Sequence, residues 1–410
     1  MLARKSIKQS FRPSESVLSL MREYGRMTNF CIRMGLATNT STLRKLSLLT
    51  YKELKVFHVP SCYKHCAISK TAGILASIKK SIKRGISTKD PYLKKLILVS
   101  SYHFKIVNKN LRIPLGERKF EEIPLTKYTL GVITDPTIRV NSFTLNVYSL
   151  SLCISRDVPA RSGIKQLIGI DRNLRNLTVG NESQVTYYDM SRIVRIGETT
   201  NDIIASFTRN DTRIKREITS KYGKRKQERV KRILHIISKD VVEKAKENHQ
   251  AIVFETIKNM RSMYRRGNWQ GKTYRRHMNN HWPFAEIKNQ IEYKAQWKGI
   301  PVFHLTMGET RGTSLNCVKC GERLQSPVKD DVHHKRELWC NKCKKWYDRD
   351  LVAVINISRR GWLRFDHSKV QGIGSEAMVQ EPNKEVVILK VDPMKLSSSN
   401  KAGTMVVKDD

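Results

Sequence analysis

The sequence predicts an α/β module with a metal-bound knuckle set into it, behind a strand-rich module that carries a helical insert. Three observations predict this. Two buried-type strands, residues 166–171 and 251–255, each run into a carboxylate, Asp171 and Glu255. Between them lies a long helical pattern, the order expected of strands brought side by side in one sheet. Finally, Cys317-x2-Cys320 and Cys340-x2-Cys343 precede a short amphipathic helix that opens on Asp348-Arg349-Asp350.

The elements follow in order. Residues 1–13 are a short leading segment. Residues 14–90 read as a helical lobe: Val17, Leu20, Met21, Tyr24, Met27, Cys31 and Met34 recur at three- and four-residue steps and make one apolar stripe. Residues 91–162 carry short β-type runs at 96–99, 104–107, 142–145 and 150–154. From 163 to 311 the α/β pattern takes over. Its first strand ends at Asp171, and two antiparallel neighbours follow at 177–179 and 184–188. A basic helical region spans 211–247, with a break expected at Gly223. Its apolar face is Val230, Ile233, Leu234, Ile237 and Val241, and Lys224, Arg225 and Arg229 turn outward. The strand ending at Glu255 comes next, then a loop-like stretch over 261–283, a helix over 284–298 and a strand over 301–305. The knuckle occupies 312–347, and 348–365 return to the α/β module. Residues 366–410 are Ser-, Asn- and Lys-rich with one short apolar run, and read as a largely flexible tail.

Charge bounds the partners. The chain has 410 residues with 77 Lys and Arg against 37 Asp and Glu, a formal net charge of +40. Such a surplus is self-repelling unless a polyanion neutralises it, and nucleic acid is that polyanion. A membrane surface fits less well, because the cations are spread along the chain rather than gathered beside an apolar anchor. No run approaches the roughly 18 apolar residues of a spanning helix, and the first residues lack the apolar core of a signal peptide. The expected location is cytoplasmic and nucleoid-associated, with no membrane partner.

Four cysteines in two CxxC pairs can wrap one structural Zn²⁺ as thiolates. Cys31, Cys62, Cys66 and Cys153 read as buried thiols. If the strands of Asp171 and Glu255 are neighbours, their backbones lie about 4.8 Å apart, and their carboxylates can share divalent cations. A third acid on a helix crossing that end, Asp350, closes the site. Oxygen-only ligation favours Mg²⁺ or Mn²⁺ over zinc, and two such ions roughly 3.5–4 Å apart can activate water against a phosphodiester. In the loop, Arg261, Arg265, Arg266, Trp269 and Lys272 mix cations with an aromatic. That composition suits either a segment laid over a single nucleic-acid strand or a solvated basic loop. His277-x3-His281 lacks the Glu of a zinc protease and reads as surface or nucleic-acid-facing.

These residues resemble a known family. Gly169-Ile170-Asp171-Arg172-Asn173, Val253-Phe254-Glu255, Thr313-Ser314-x2-Cys317-x2-Cys320-Gly321 and Asp348-Arg349-Asp350-x5-Asn356-Ile357 are similar to the three RuvC motifs and the zinc finger of TnpB proteins. These are transposon-encoded relatives, and the ancestor type, of Cas12 nucleases, from the IS200/IS605 and IS607 groups. The resemblance covers about residues 165–360. It implies an RNase H-like (RuvC) nuclease domain with an inserted zinc ribbon, behind a wedge domain that has residues 1–13 as its first piece and is interrupted by a helical recognition lobe. It further implies an RNA-guided DNA endonuclease with a guide RNA from the transposon end, target double-stranded DNA as partner, and Asp171, Glu255 and Asp350 as catalytic, Mg²⁺-binding residues. The alternatives are a nuclease-inactive RNA-guided DNA-binding regulator and an accessory transposase. Two stretches depart from the family pattern: Val352-Ala353-Val354 follow Leu351 where Asn-Ala-Ala is usual, so that Val352 stands where Asn is usual, and Lys344 follows the second CxxC where Gly is usual.

Overall fold

A computed structural model describes residues 1–83, 85–207, 212–257, 283–327, 336–362, 364–365 and 386–398. Two compact units emerge, one of residues 2–157 and one of Met1 with residues 158–410.

The first unit holds the helical segment. Strand β1 (Leu2–Ser10) pairs antiparallel along its whole length with β7 (Ser149–Asp157), and the sheet runs β1-β7-β6-β2, with β2 at Ile97–Ser100 and β6 at Arg139–Asn146. Only Ala3 and Ile7 of β1 are buried, which is why so cationic a stretch carries little strand signal in sequence. Between β1 and β2 lie helices α1 (Glu15–Ala37), α2 (Leu43–Thr50) and α3 (Ser61–Lys83). Ser14 caps α1 by accepting from the Val17 N–H at 3.3 Å. The apolar stripe read from the sequence is buried from Val17 to Cys31. A small second sheet, β3 (Lys105–Val107), β4 (Asn110–Gly116) and β5 (Lys119–Pro124), is followed by the short helix α4 (Lys127–Ile133).

The second unit is built on six strands in the order β12-β11-β8-β9-β10-β15. Strands β8 (Gln166–Arg172), β9 (Asn176–Gly180) and β10 (Gln184–Asp189) form an antiparallel meander. Strand β11 (Gln250–Phe254) then lies parallel to β8, and β12 (Val302–His304) parallel to β11. One face packs on helices α5 (Ser191–Ser206), α6 (Thr212–Glu247) and α7 (Phe284–Trp297), through Ile168, Ile170, Ile237, Val241, Ile252 and Ile291. The opposite face receives helix α8 (Arg349–Trp362), with Leu167, Val253 and Ile357 between them. A two-stranded hairpin, β13 (Glu337–Cys340) and β14 (Lys345–Asp348), leads directly into α8.

Two expectations are corrected. Gly223 does not break the basic helix: α6 runs unbroken through it, because one glycine costs only about 1 kcal/mol against Ala while the flanking residues are strong helix formers. Within the segment expected to be a largely flexible tail, 386–398 are ordered: β15 (Val387–Val391) adds to the sheet edge parallel to β10, and α9 (Pro393–Ser398) follows. The apolar run of that tail supplies this strand, with Leu389 buried. No helix among the described residues is long and apolar enough to cross a membrane.

Candidate metal-binding sites

Strand periodicity aims the acids. On β8, side chains alternate, so Leu167, Gly169 and Asp171 share one face while Ile168, Ile170 and Arg172 share the other. The parallel register sets Phe254 opposite Ile170, which puts Glu255, one residue beyond β11, level with Asp171. Both acids thus stand at the carboxyl end of adjacent parallel strands, on the side that α8 covers. The helix can approach because residue 169 is glycine: a Cβ there would lie 2.2 Å from the Val354 carbonyl oxygen. Ser358 Oγ, further along α8, donates to the Leu167 carbonyl at 2.6 Å. The first turn of α8 brings Asp350 to the same end, and it is buried there at 4% exposure.

The three charges feel one another. Burial, then Glu255, then Asp350 push the Asp171 carboxyl up to about 7, against an opposing hydrogen bond from Asn173. Burial also raises Glu255, against the Arg172 guanidinium. Arg172 itself is buried and reaches under the site, donating to the Glu255 carbonyl at 2.9 Å and the Phe284 carbonyl at 3.1 Å. Asn173 Nδ2 donates to Asp171 Oδ2 at 2.8 Å. Asp350 Oδ2 accepts from Asn176 at 2.9 Å and from Arg336 at 2.6 Å.

Helix α8 is capped by Asp348, whose Oδ1 accepts from the N–H groups of Asp350 at 2.8 Å and Leu351 at 2.9 Å. Tyr187 on β10 donates to the same oxygen at 3.0 Å. Burial first, then Asp348, raises the Tyr187 hydroxyl, which keeps it a donor. The first turn of α8 is therefore pinned to the sheet through its own cap.

The acid cluster fits a hard cation. Asp171, whose proton affinity Glu255 and Asp350 raise, is relieved by positive charge, and Arg336 already supplies one on Asp350. Asn176 Oδ1 and Thr178 Oγ1 are buried beside the acids without a protein partner, leaving oxygen donors for a cation or its water. Among the described residues no set of carboxylates closes as tightly as the cysteines, and Asp350 Oδ2 is held by Asn176 and Arg336.

The cysteine quartet is tighter. The four sulfurs of Cys317, Cys320, Cys340 and Cys343 lie within 4.8 Å of one another, with Cys317–Cys343 at 3.8 Å and Cys320–Cys340 at 3.4 Å. Tetrahedral Zn–S bonds of about 2.3 Å place sulfurs at roughly this spacing. The two knuckles are alike: Gly321 N–H bonds the Cys317 carbonyl and Lys344 N–H bonds the Cys340 carbonyl, both at 2.9 Å. Both residues adopt left-handed φ, +76° at Gly321 and +52° at Lys344. Burial opposes ionisation of Cys317, yet N–H groups of Cys320 and Lys319 bring its thiol down to about 7, near the thiolate that zinc needs.

Val352 lies between the two centres. It is fully buried against Cys317, Leu324, Leu338 and Cys340. Asn356 Nδ2 donates to the carbonyls of Thr313 and Asn316, both at 2.8 Å. The two motif segments that are 40 residues apart in sequence are thus tied together across α8.

The predicted nucleic-acid contacts are less defined. Lys224, Arg225 and Arg229 are exposed on α6. Arg261, Arg265, Arg266, Trp269 and Lys272 lie outside the described residues, as do His277 and His281. Arg172, Asn176, Tyr187 and Arg336 were not singled out by sequence. Only Arg172, next to Asp171, had a local signal; the others depend on strand register.

Three similarities bear on this arrangement. Residues 284–357 match the model of the Cas12f1-like TNB domain family. A TnpB-like protein of Methanocaldococcus jannaschii is 26% identical over 278 residues, covering 63% of this chain and 92% of that protein. A cryo-EM structure of a Cas12f1–sgRNA–target DNA complex superposes with a TM-score of 0.58 at 13% identity, covering 84% of this chain and 82% of the other. The last shows a shared fold.

Proposed function

The three similarities support the TnpB family for this chain, and from that premise we propose that it is an RNA-guided DNA endonuclease with Asp171, Glu255 and Asp350 as its catalytic acids. The observation that carries the reading is their meeting at one sheet end, closely enough that Glu255 and Asp350 both raise the proton affinity of Asp171. The meander β8-β9-β10 followed by parallel β11 and β12 supports an RNase H-like (RuvC) assignment for the second unit. The first unit corresponds to the wedge module with its helical recognition lobe. Guide RNA from a transposon end, target double-stranded DNA and a cytoplasmic, nucleoid-associated location belong to the same reading.

Each residue has a role. Asp171, Glu255 and Asp350 would hold Mg²⁺ or Mn²⁺, which supplies water activation and charge stabilisation at the scissile phosphate when bound. Arg172 fixes the Glu255 backbone, and Asn173 orients Asp171. Asn176 and the Asp348 cap fix Asp350. The zinc ribbon is structural, and its exposed Lys319, Arg323, Lys342, Lys344 and Lys345 face solvent where a nucleic-acid backbone can lie.

The test is to purify the protein with its co-bound RNA, sequence that RNA, and offer matched DNA with Mg²⁺. Nicking by the parent that Asp171→Ala abolishes is expected. Equal nicking by both would falsify the assignment. Guided binding without cleavage would point to the regulator, and joined products to the transposase.

A further inference from the structure

The small sheet of the first unit lines a half-open cavity of about 470 Å³ that the acid and zinc centres do not use. Its walls come from three places. Pro60, Ser61 and Cys62 stand at the start of α3, His103 lies just before β3, and Lys105, Arg112, Pro114 and Phe120 come from β3, β4 and β5. The frame is fixed: Tyr63 Oη, from α3, donates to the Pro114 carbonyl at 2.9 Å.

The lining has an unusual charge arrangement. Lys105 and Arg112 are direct cross-strand partners. Like charges directly opposite on neighbouring strands destabilise a sheet, and nothing in the folding of this hairpin asks for them. Glu122, the other cross-strand neighbour of Arg112, instead accepts from Asn110 at 3.1 Å. The Arg112 guanidinium lies 4.1 Å over the Phe120 ring, while its Nε is buried with no partner. Phe120 keeps 46% of its surface exposed. No acidic side chain lines the cavity. Burial pushes the Cys62 thiol up to about 11, so the floor is neutral.

The ligand must therefore combine an anion with a flat, weakly polar body. Lys105 and the Arg112 guanidinium ask for a phosphate, and Phe120 with the two prolines offers ring and edge surfaces to a base. The volume admits one nucleotide, and a base still paired and stacked in a duplex cannot turn its ring into so small a pocket. We propose that this cavity captures a single unpaired nucleobase together with its adjoining phosphate. The inference rests on the nucleic-acid reading above and names a contact for it. The unpaired base can come from the RNA or from a DNA strand.

The experiment measures anisotropy of the full-length protein, freed of co-purified RNA, with three labelled probes. These are a single-stranded RNA, a single-stranded DNA of the same sequence, and a blunt duplex of that DNA. The duplex reports the general electrostatic attraction of a +40 chain. Phe120→Ala should weaken binding of at least one single strand about tenfold, the effect of losing a stacked base, and leave the duplex within about twofold. Arg112→Gln should reproduce that selectivity. The strand that responds identifies the source. Photo-crosslinking that strand through 4-thiouridine or 4-thiothymidine should place the adduct on the peptide carrying Phe120. Equal loss on all three probes, no loss, or adducts confined to other peptides would overturn the proposal. Because Phe120 is half-exposed on the small sheet, its truncation leaves the core intact. Cleavage is not read, so an inactive nuclease with a selective pocket, and an active one without it, give different results.

Discussion

Gly169→Ala tests how α8 is seated on the sheet. The new Cβ would lie 2.2 Å from the Val354 carbonyl oxygen and 3.0 Å from both Ile357 Cβ and Ser358 N. Two of these three neighbours are backbone, so no rotamer change relieves the contact. Reaching ordinary contact requires α8 to withdraw by about 1 Å, and overpacking of this kind costs about 1–3 kcal/mol. The melting transition should fall by roughly 3–10 °C. Val354 lies one turn beyond Asp350, so the helix start moves with it. A displacement of about 1 Å at a reacting group costs on the order of 10²-fold in rate, and Mn²⁺ affinity measured by electron paramagnetic resonance should fall in parallel. Gly223→Ala is the control: its Cβ meets nothing within 4 Å, and inside a continuous helix it should stabilise by up to about 1 kcal/mol. A Gly169→Ala protein that melts with the parent and binds Mn²⁺ equally would refute the close seating of α8.

Four further outcomes follow from the same contacts. Val352→Ala removes two methyl groups from the ribbon core and should cost about 2 kcal/mol, read as faster amide exchange over residues 336–348. Lys344→Gly relieves a left-handed residue at a cost of about 1–2 kcal/mol, less the roughly 0.4–1 kcal/mol of glycine entropy in the unfolded chain. Zinc should then be retained roughly two- to fivefold better in competition with a chelator. Cys340→Ser should lower the zinc content per chain, and an unchanged metal ratio would contradict the quartet. For pH, the folded carboxyl of Asp171 is raised from 3.8 to about 7. The stability it contributes is therefore present in acid and lost as pH rises through about 7. Without divalent cations, Asp171→Asn should raise the melting temperature near about pH 8 and lose that advantage near about pH 5. Thermal scans at both values decide it.

Much of the site was legible because the features concerned are local. Strands β8 and β11 are buried on both faces, so they read as continuous apolar runs that stop at a charge, and CxxC spacing needs no tertiary context. What was hidden depends on pairing. The hairpin β4–β5 turns on Glu117 and Arg118, at φ +47° and +61°, positions where Asn-Gly is the usual signature. Its strand residues include Pro114 and two adjacent glutamates, which also mask the pattern. Tyr187 and Asn176 lie far from Asp348 and Asp350 in sequence, and only the antiparallel register of β8, β9 and β10 brings them there. Lys224, Arg225 and Arg229 were legible as exposed cations because an amphipathic helix separates its faces by arithmetic alone.

The departure at Val352 clarifies why a zinc ribbon stands immediately before the third acid. Helix α8 has three faces in use. Ile357 and Ser358 seat it on β8 and β11, and Asp350 points to the acid cluster, where its charge is felt by Asp171. Val352 faces Cys317 and Cys340, two of the four sulfurs. Residues 350 and 352 are on different sides of one turn, so a side-chain amide at 352 would be set among the apolar residues of the ribbon side. Asn356 adds two bonds to the opening of the ribbon, and Arg336, just before β13, binds Asp350 directly. The metal-bound knuckle therefore braces the first turn of α8 from the side opposite the sheet. A helix start has unsatisfied N–H groups and frays readily, and a carboxylate placed there holds its position only when both sides are packed. Valine at 352 strengthens that brace with apolar contact, which gives the apolar side chain a role in positioning Asp350.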